Sequence, residues 1–287
     1  MPVAVVTDTT QYLPAGLLAD RGVGQVSLYT TRDGASTRES AIADLDAFYA
    51  SLRDASSLPS TSQPSVGDFL EAYEPLVAAG SDVVSIHLAG GISGTVESAR
   101  QAATIAAGDT GRRVDVVDSR MACGALGLVV LAAAAAARAG GSVDDVVARA
   151  EAARDALLRR FIFAVDTLEF LRRGGRIGTA QAWVGGALRI KPILTLDGEI
   201  TPIERVRTSK RSFERMVQVA EELRASGSDA WCVQHIQAPA EADRLATAAR
   251  DVIGTDPLFV SEVGPVIGAH VGPGLLGIGG IPSSLLA

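Results

Sequence analysis

The sequence predicts an α/β fold of two domains, an N-terminal mostly parallel sheet flanked by helices and a C-terminal mixed or antiparallel α+β domain. Three observations predict it. Apolar runs alternate with helical patterns in the first half, Asp197-Gly198 joins two strand-like runs in the second half, and 47 % of the 287 residues are hydrophobic. We expect the domain boundary near residues 158–161, which gives domains of residues 1–159 and 160–287.

The first half alternates short apolar runs with amphipathic stretches, as the βα units of a parallel sheet do. Strands are expected at residues 3–6, 23–29, 82–88 and 113–117. Helices are expected at residues 43–53, 66–79, 95–107 and 121–139. Ser65 and Ser142 stand where helix-capping residues belong, and Ser142 is expected to begin a helix over 143–158.

The second half contains more strand-like runs and fewer helical ones, which favours a mixed or antiparallel sheet. Strands are expected at residues 161–165, 189–196, 199–206, 230–236, 258–262 and 266–269. A short helix is expected around residues 168–171, and longer helices at 209–225 and 240–252.

Composition excludes several classes of function. A net charge of −7 argues against a nucleic-acid surface, which needs a basic face. The longest apolar run, residues 126–137, is too short to cross a bilayer, and no secretory leader is recognisable, so we expect a cytoplasmic protein without stable membrane insertion. Cys123 and Cys232 lack metal-ligand spacing, and neither a Walker loop nor a dinucleotide fingerprint is present.

Two short polar segments, residues 60–65 and 91–95, collect hydroxyl groups just before predicted helices. Their hydroxyl residues are Thr61, Ser62, Ser65, Ser93 and Thr95. Helix N-termini carry unpaired backbone N–H groups, so two such ends can converge on one small anion. Gly91 and Gly94 allow close backbone approach. Helix capping alone is the alternative, although it accounts for only one hydroxyl per helix.

Three further segments contain candidate functional residues. Asp8 follows the first strand, where loop organisation is the favoured role and ligand support or a nucleophile are the alternatives. Arg172, Arg173 and Arg176 form a basic spot suited to an anion, or else a solvated helix end. His270 precedes a glycine-rich turn, a position that core packing explains poorly, whereas His87 and His235 lie inside predicted strands.

The ordered set of these segments resembles the DegV family over nearly the whole chain. The matching segments are residues 7–9, 61–65, 92–95, 117–119, 166–169, 173–176, 191–193, 197–198 and 270–274. The resemblance implies a protein that binds a long-chain fatty acid in an apolar tunnel between the two domains. Some members serve as the acyl-carrying subunit of bacterial fatty acid kinases, which implies an ATP-dependent kinase partner.

By the same resemblance, Thr61 and Ser93 would hydrogen-bond the carboxyl group, and His270 would lie near the same head group. The two polar segments also make Ser62, Gly94 and Thr95 candidate ligand-binding residues. Arg176 and Arg207 would lie at the mouth of the site. The chain would hold no metal, no cofactor other than the bound fatty acid and no catalytic residue of its own.

Two alternatives remain open at this point. One is a serine hydrolase that uses Ser93 and His270, with Asp8 or Asp118 orienting the histidine. The other is a lipid carrier or sensor that has no kinase partner.

Overall fold

The computed structural model describes residues 1–53, 58–184 and 190–287. In chain order the strands are β1 (Val3–Asp8), β2 (Gly24–Val26), β3 (Tyr29–Arg32), β4 (Ala35–Arg38), β5 (Ser60–Ser62), β6 (Asp82–His87), β7 (Val114–Asp118), β8 (Ile162–Ala164), β9 (Lys191–Asp197), β10 (Glu199–Val206), β11 (Ala230–His235), β12 (Phe259–Glu262) and β13 (Leu276–Ile281). The helices are α1 (Ala15–Ala19), α2 (Leu45–Arg53), α3 (Val66–Ala78), α4 (Thr95–Ala107), α5 (Cys123–Arg138), α6 (Val143–Leu157), α7 (Glu169–Arg173), α8 (Ser209–Ala225), α9 (Pro239–Ile253) and α10 (Pro265–Val271).

The first sheet has the order β2-β1-β6-β7, and all of its strands are parallel. Every residue of β6 is buried, as expected for a central parallel strand covered on both faces. Helices α3 and α4 cover one face, and the long Ala-rich helix α5 packs against the other. The parallel N-terminal sheet predicted from alternating patterns is therefore confirmed.

The second sheet has the order β10-β9-β8-β13-β11-β12, in which only the pair β11 and β12 is parallel. The Asp197-Gly198 signal does join β9 to β10 as an antiparallel hairpin. Alternate residues of the sheet face α8 and α9 on one side and the core shared with α5 on the other. The predicted mixed C-terminal sheet is therefore confirmed.

A small third sheet, with the order β4-β3-β5, was not expected from the sequence. Its strands are three or four residues long and are largely polar, so their hydrophobic alternation is weak. The predicted strand over residues 23–29 is divided between two sheets, because the chain leaves β2 after Val26 and enters β3 at Tyr29. The third sheet matters because β5 carries Thr61.

One predicted element is wrong in type. Residues 266–269 were expected to form a strand, but they lie within helix α10. A short apolar run does not distinguish a buried strand from a buried helix, and Pro265 at the first helical position favours the helix. The glycine-rich strand β13 had no counterpart in the sequence-based prediction, and residue 189 of the predicted strand 189–196 lies outside the described residues.

Most helix predictions agree closely with the structure, including α4 and α8, whose observed bounds match the predicted ones. Ser65 and Ser142 both form capping boxes with an aspartate three residues later. Helices α5 and α6 contact strands of both large sheets, and one core cluster includes residues from both halves. The division at residues 159 and 160 stays a prediction.

None of the helices in the described part of the chain combines the length and apolar character that crossing a membrane requires.

Candidate functional site

A mainly apolar cavity lies between the two large sheets and receives residues from both halves of the chain. Its apolar wall is formed by Leu28, Leu88, Ile92, Ala122, Phe161, Phe163, Leu171, Leu196, Ile200, Val266, Ile267, Val271 and Leu275. Its polar wall is formed by Thr61, Ser62, Gln63, Cys123, Ser93, Arg176, Gln234 and His270. Small-molecule sites commonly combine such an apolar lining with a few convergent polar groups.

Strand β5 and helix α10 together bring two of the predicted residues into contact. Thr61 pairs with Thr30 in the small sheet, which fixes its position beside α10. The Thr61 Oγ1 atom lies 2.7 Å from His270 Nε2, although the two residues are 209 positions apart in sequence. The structure therefore unites two candidates that the sequence could only name separately.

His270 is held as a neutral imidazole. Burial, assisted by the positive charge of Arg176, lowers its pKa to about 4. Its Nδ1 atom is buried and has no hydrogen-bond partner among the described residues. Since a buried unpaired acceptor is tolerated better than a buried unpaired N–H, we assign the proton to Nε2, which then donates to Thr61. The Thr61 hydroxyl hydrogen is left free to donate to a ligand.

Ser93 lies in the loop between β6 and α4, and its Oγ atom is 2.8 Å from Thr95 Oγ1. It also accepts a hydrogen bond from the Thr95 backbone N–H at 3.3 Å. Gly94 occupies the N-cap position of α4 and provides no side-chain cap. Backbone N–H groups in the first turn of α4 therefore remain available as donors beside the Ser93 hydroxyl.

The two hydroxyl segments meet where the Gln63 side chain packs against Gly94. A Cβ atom at this position would lie 2.6 Å from Gln63 Nε2, so glycine allows this contact without a shift of the Gln63 side chain. The structure differs from the prediction of two converging helix ends at the first segment, whose cavity-lining hydroxyls do not lie at the N-terminus of α3. Helix α3 is capped by Ser65 and Asp68, and Thr61 and Ser62 reach the cavity from strand β5.

Arg176 lies at the mouth of the cavity and is largely exposed. Its Nε atom donates to the Ile92 carbonyl at 3.2 Å, and its Nη1 atom donates to the Gly174 carbonyl at 2.9 Å. A shallow polar depression adjoins this mouth, and its rim includes Gly91, Gly94, Gly175, Gly178 and Glu199. Arg207, by contrast, is an exposed residue between β10 and α8, apart from the side chains that line the cavity.

Asp8 organises a buried network and is separate from the cavity wall. Its carboxylate accepts hydrogen bonds from the backbone N–H groups of Thr10 and Leu88, each at 3.0 Å. It is also 3.0 Å from His87 Nδ1. This geometry agrees with the favoured interpretation of Asp8 as a loop organiser.

A family model matches residues 2–283 of the chain and is described as uncharacterised protein, DegV family. This chain belongs to the DegV family. It is 42 % identical over 279 residues to a DegV domain-containing protein of Streptomyces coelicolor, and the match covers 96 % of this chain and 97 % of the relative.

Solved structures of DegV proteins superpose on this DegV chain with high scores. DegV of Bacillus subtilis, described as a fatty acid binding protein, has a TM-score of 0.85 at 34 % identity, covering 97 % of this chain and 98 % of the other. A DegV family protein from Thermus thermophilus, described for its fatty acid binding, has a TM-score of 0.84 at 34 % identity with the same coverage. The family identified from the sequence motifs is confirmed.

Several residues of this DegV site were not predicted. Gln234 and Cys123 line the cavity, and the Gln234 side-chain oxygen accepts from the Gly124 backbone N–H at the start of α5. A Cβ atom at Gly174 would overlap the His270 ring. A buried glutamine within an apolar strand and a glycine pair after an arginine pair are the sequence signals that could have pointed to them.

Proposed function

We propose that this chain binds one long-chain fatty acid, with its carboxyl group at the Thr61 and Ser93 end of the cavity. The observation that carries the proposal is the change in the cavity wall from apolar side chains to a cluster of hydroxyls beside a neutral histidine. The fatty acid binding described for the Bacillus subtilis and Thermus thermophilus relatives supports it.

The energetics favour an acyl chain in such a wall. About 14 methylenes at about 0.8 kcal/mol each would contribute roughly 11 kcal/mol before the costs of binding. A carboxylate buried without hydrogen bonds would cancel much of that gain. The hydroxyl cluster at one end therefore fixes the direction in which the chain enters.

The head group would be held by donors from both hydroxyl segments. Thr61 and Ser93 would donate their hydroxyl hydrogens to the carboxylate, and Ser62 would lie beside them on the polar wall. Gly94 and Thr95, which contacts the Ser93 hydroxyl, would support the loop that carries Ser93. His270 would hold Thr61 in the donating orientation. Arg176 would supply a positive charge at the mouth.

We further propose that the carboxyl group is presented to a separate ATP-dependent kinase in the cytoplasm, so that this chain is not itself the enzyme. The support is the position of the hydroxyl end beside the shallow depression at the mouth, where glycines leave the approach uncovered. Arg207 is a candidate for contact with that kinase. A carrier without a kinase partner would show the same lipid binding and no phosphorylation.

The hydrolase alternative finds little support in the geometry. A catalytic triad needs a serine on one ring nitrogen of the histidine and a carboxylate on the other. The Nε2 atom of His270 contacts Thr61, and no residue that the structure describes bonds its Nδ1 atom. Asp8 contacts His87 instead, and Asp118 accepts from the Gly90 and Arg120 backbone N–H groups.

The test is mass spectrometry of an organic extract from the purified protein, compared with a mock purification. We expect close to one fatty acid per chain in the parent and a clear loss in Ser93→Ala, with Ser36→Ala on the exposed strand β4 as the matched control. A parent that carries no lipid and fails to bind added oleate or palmitate would refute the proposal. Incubation of the loaded protein with a fatty acid kinase and ATP would then test presentation.

A further inference from the structure

Glu39 is a buried carboxylate that the function proposed above does not use. It is 5 % exposed and follows strand β4 in a single 3₁₀ turn. Its Oε1 atom accepts from the Val266 backbone N–H at 2.8 Å and from the Tyr12 hydroxyl at 2.8 Å. Its Oε2 atom accepts from the Thr9 hydroxyl at 2.5 Å. Three donors from two segments, residues 9–12 and the start of α10, therefore meet on one side chain.

Tyr12 extends the same network to the next residue of α10. Its hydroxyl accepts from the Ile267 backbone N–H at 3.2 Å while donating to Glu39. Burial, reinforced by the nearby Glu39 charge, raises the pKa of Tyr12 well above its ordinary value, so the phenol stays protonated and able to donate. Glu39 and Tyr12 together bind the first turn of α10.

Residues from the first half of the chain also contact the segment just before α10 and the middle of the helix. The Tyr49 hydroxyl donates to the Val263 carbonyl at 2.5 Å, just before the helix, and a Cβ atom at Gly268 would overlap the Tyr49 ring. A Cβ atom at Gly264 would overlap Tyr12. The start and the middle of α10 therefore pack closely against Tyr12 and Tyr49.

This region of close packing lies directly behind the cavity. Val266 and Ile267, whose N–H groups are bound by Glu39 and Tyr12, line the cavity with their side chains. His270 follows within the same two turns and contacts Thr61. The backbone of Leu28, another lining residue, donates to the Thr9 hydroxyl at 3.2 Å. A displacement of Glu39 would therefore shift both the α10 side and the Leu28 side of the polar end of the cavity.

We propose that Glu39 and Tyr12 are positioning residues that set α10 in register with β5, so that the His270 and Thr61 contact is formed before a ligand enters. The inference rests on the proposed function. A preformed head-group site spends less binding energy on ordering its own side chains. The expected consequence is selectivity for a carboxylate head group over an uncharged one on the same chain.

The experiment compares two tyrosine-to-phenylalanine variants by titration with oleate and with oleyl alcohol, which share a chain and differ in head group. Tyr12→Phe removes a hydroxyl that contacts α10. Tyr73→Phe removes a fully buried hydroxyl that bonds Ser85 and is the matched control. We expect Tyr12→Phe to weaken oleate binding about five- to tenfold and oleyl alcohol binding less than about twofold. Tyr73→Phe should leave both within about twofold of the parent.

Substitutions of Glu39 provide a conservative rescue. Glu39→Ala leaves three donors unpaired and should weaken oleate binding by more than about tenfold. In Glu39→Gln the amide oxygen can accept from Val266 and Tyr12 while its N–H donates to Thr9, so affinity should return to within about threefold of the parent. Thermal unfolding shows whether Glu39→Ala is folded, and Tyr12→Phe decides the question if it is not.

The outcomes separate the two proposals. A parent that binds oleate while Tyr12→Phe and Tyr73→Phe behave alike would overturn the positioning role and leave the proposed function intact. Equal losses for oleate and oleyl alcohol in Tyr12→Phe would also overturn it, because they would indicate a general loss of stability. A parent that binds neither ligand would overturn the proposed function and this inference with it.

Discussion

Two polar clusters of this molecule contain the same kinds of side chain but serve different purposes. The first lies inside the parallel sheet, where Asp8, His87, Ser85 and Tyr73 form a continuous chain of contacts between 2.7 and 3.0 Å. All four side chains are fully buried. Serine, histidine and aspartate follow one another as in a hydrolase triad, yet no substrate could reach the serine.

The second cluster lies at the polar end of the cavity and is incomplete. His270 contacts Thr61 through one ring nitrogen, while the other nitrogen has no hydrogen-bond partner in the described part of the chain. Within residues 1–53, 58–184 and 190–287, the Ser93 hydroxyl forms hydrogen bonds only with Thr95. The hydroxyl hydrogen of Thr61 is left free by the tautomer assigned to His270.

The contrast between the two clusters shows how a binding site is distinguished from a structural network. Buried polar groups are normally satisfied within the protein, so a complete network points to stability. A cluster that keeps spare donors next to an apolar cavity points to a ligand that completes it. Substitutions in the two clusters should therefore separate stability from binding.

The largest effect is expected from Asp8→Ala in the complete network. The substitution leaves the backbone N–H groups of Thr10 and Leu88 and the ring of His87 without their acceptor. We expect the free energy of unfolding to fall by about 3–5 kcal/mol in urea denaturation, with oleate affinity of the folded fraction unchanged. Asp109→Ala, at an exposed helix end, is the control and should change stability by less than about 0.5 kcal/mol.

A loss of oleate affinity in folded Asp8→Ala would contradict this separation, because it would show that the sheet network supports the head-group site directly.

The next effect concerns the pH dependence of stability through His270. Its pKa of about 4 in the folded protein lies below the ordinary value near 6.5, so between these values the unfolded chain binds a proton that the folded chain does not. The stabilising contribution is complete above pH 6.5 and is lost as the pH falls towards 4. We expect the lipid-free parent to lose about 2 kcal/mol more than His270→Gln between pH 7 and 4.5.

Urea denaturation of both proteins at the two pH values measures this difference. His235 is present in both proteins, so its own lowered pKa cancels in the comparison. Equal losses in the parent and the variant would show that His270 titrates normally in the folded state.

A smaller effect is expected from Thr61→Val, which removes the donor that His270 orients. We expect oleate affinity to fall about tenfold, with oleyl alcohol affinity within about threefold of the parent and stability within about 1 kcal/mol. The matched control is Thr7→Val, which removes a buried hydroxyl that donates to the Ile86 carbonyl at 2.8 Å. That control should lower stability by about 1 kcal/mol and leave the ratio of the two affinities unchanged.

Should Thr7→Val alter this ratio as much as Thr61→Val does, the contrast between the two clusters would not hold.

The sequence predicted local structure better than long-range contacts. Hydrophobic periodicity located α4 and α8, and the Asp197-Gly198 turn signal located the β9–β10 hairpin, because these elements are stabilised by neighbours in sequence. Helix α10 was mistaken for a strand, because its residues other than His270 are apolar or small, are mostly buried and show little periodicity.

The site shows the same limit. Patterns of hydroxyl residues, glycines and a histidine identified Thr61, Ser93 and His270 as candidates. The contact between Thr61 and His270 depends on β5 pairing with β3 and on the packing of α10, which the sequence did not predict. Glu39 and Tyr12 were not singled out, since a single glutamate in a polar segment is typical of a solvated residue. Their role follows only from contacts more than 200 positions away in sequence.

The smallest effect is expected from Arg207→Ala, which separates two arginines that the family resemblance treats alike. Arg207 is exposed beyond β10, so its loss should leave oleate affinity within about twofold of the parent. Arg176→Ala should weaken oleate binding about threefold and raise the pKa of His270, because the Arg176 charge now lowers it. Oleate titration and NMR titration of the His270 ring measure both. Equal losses in the two variants would mean that the β10–α8 loop reaches the carboxyl group, and the cluster at the cavity would then extend to the outer surface.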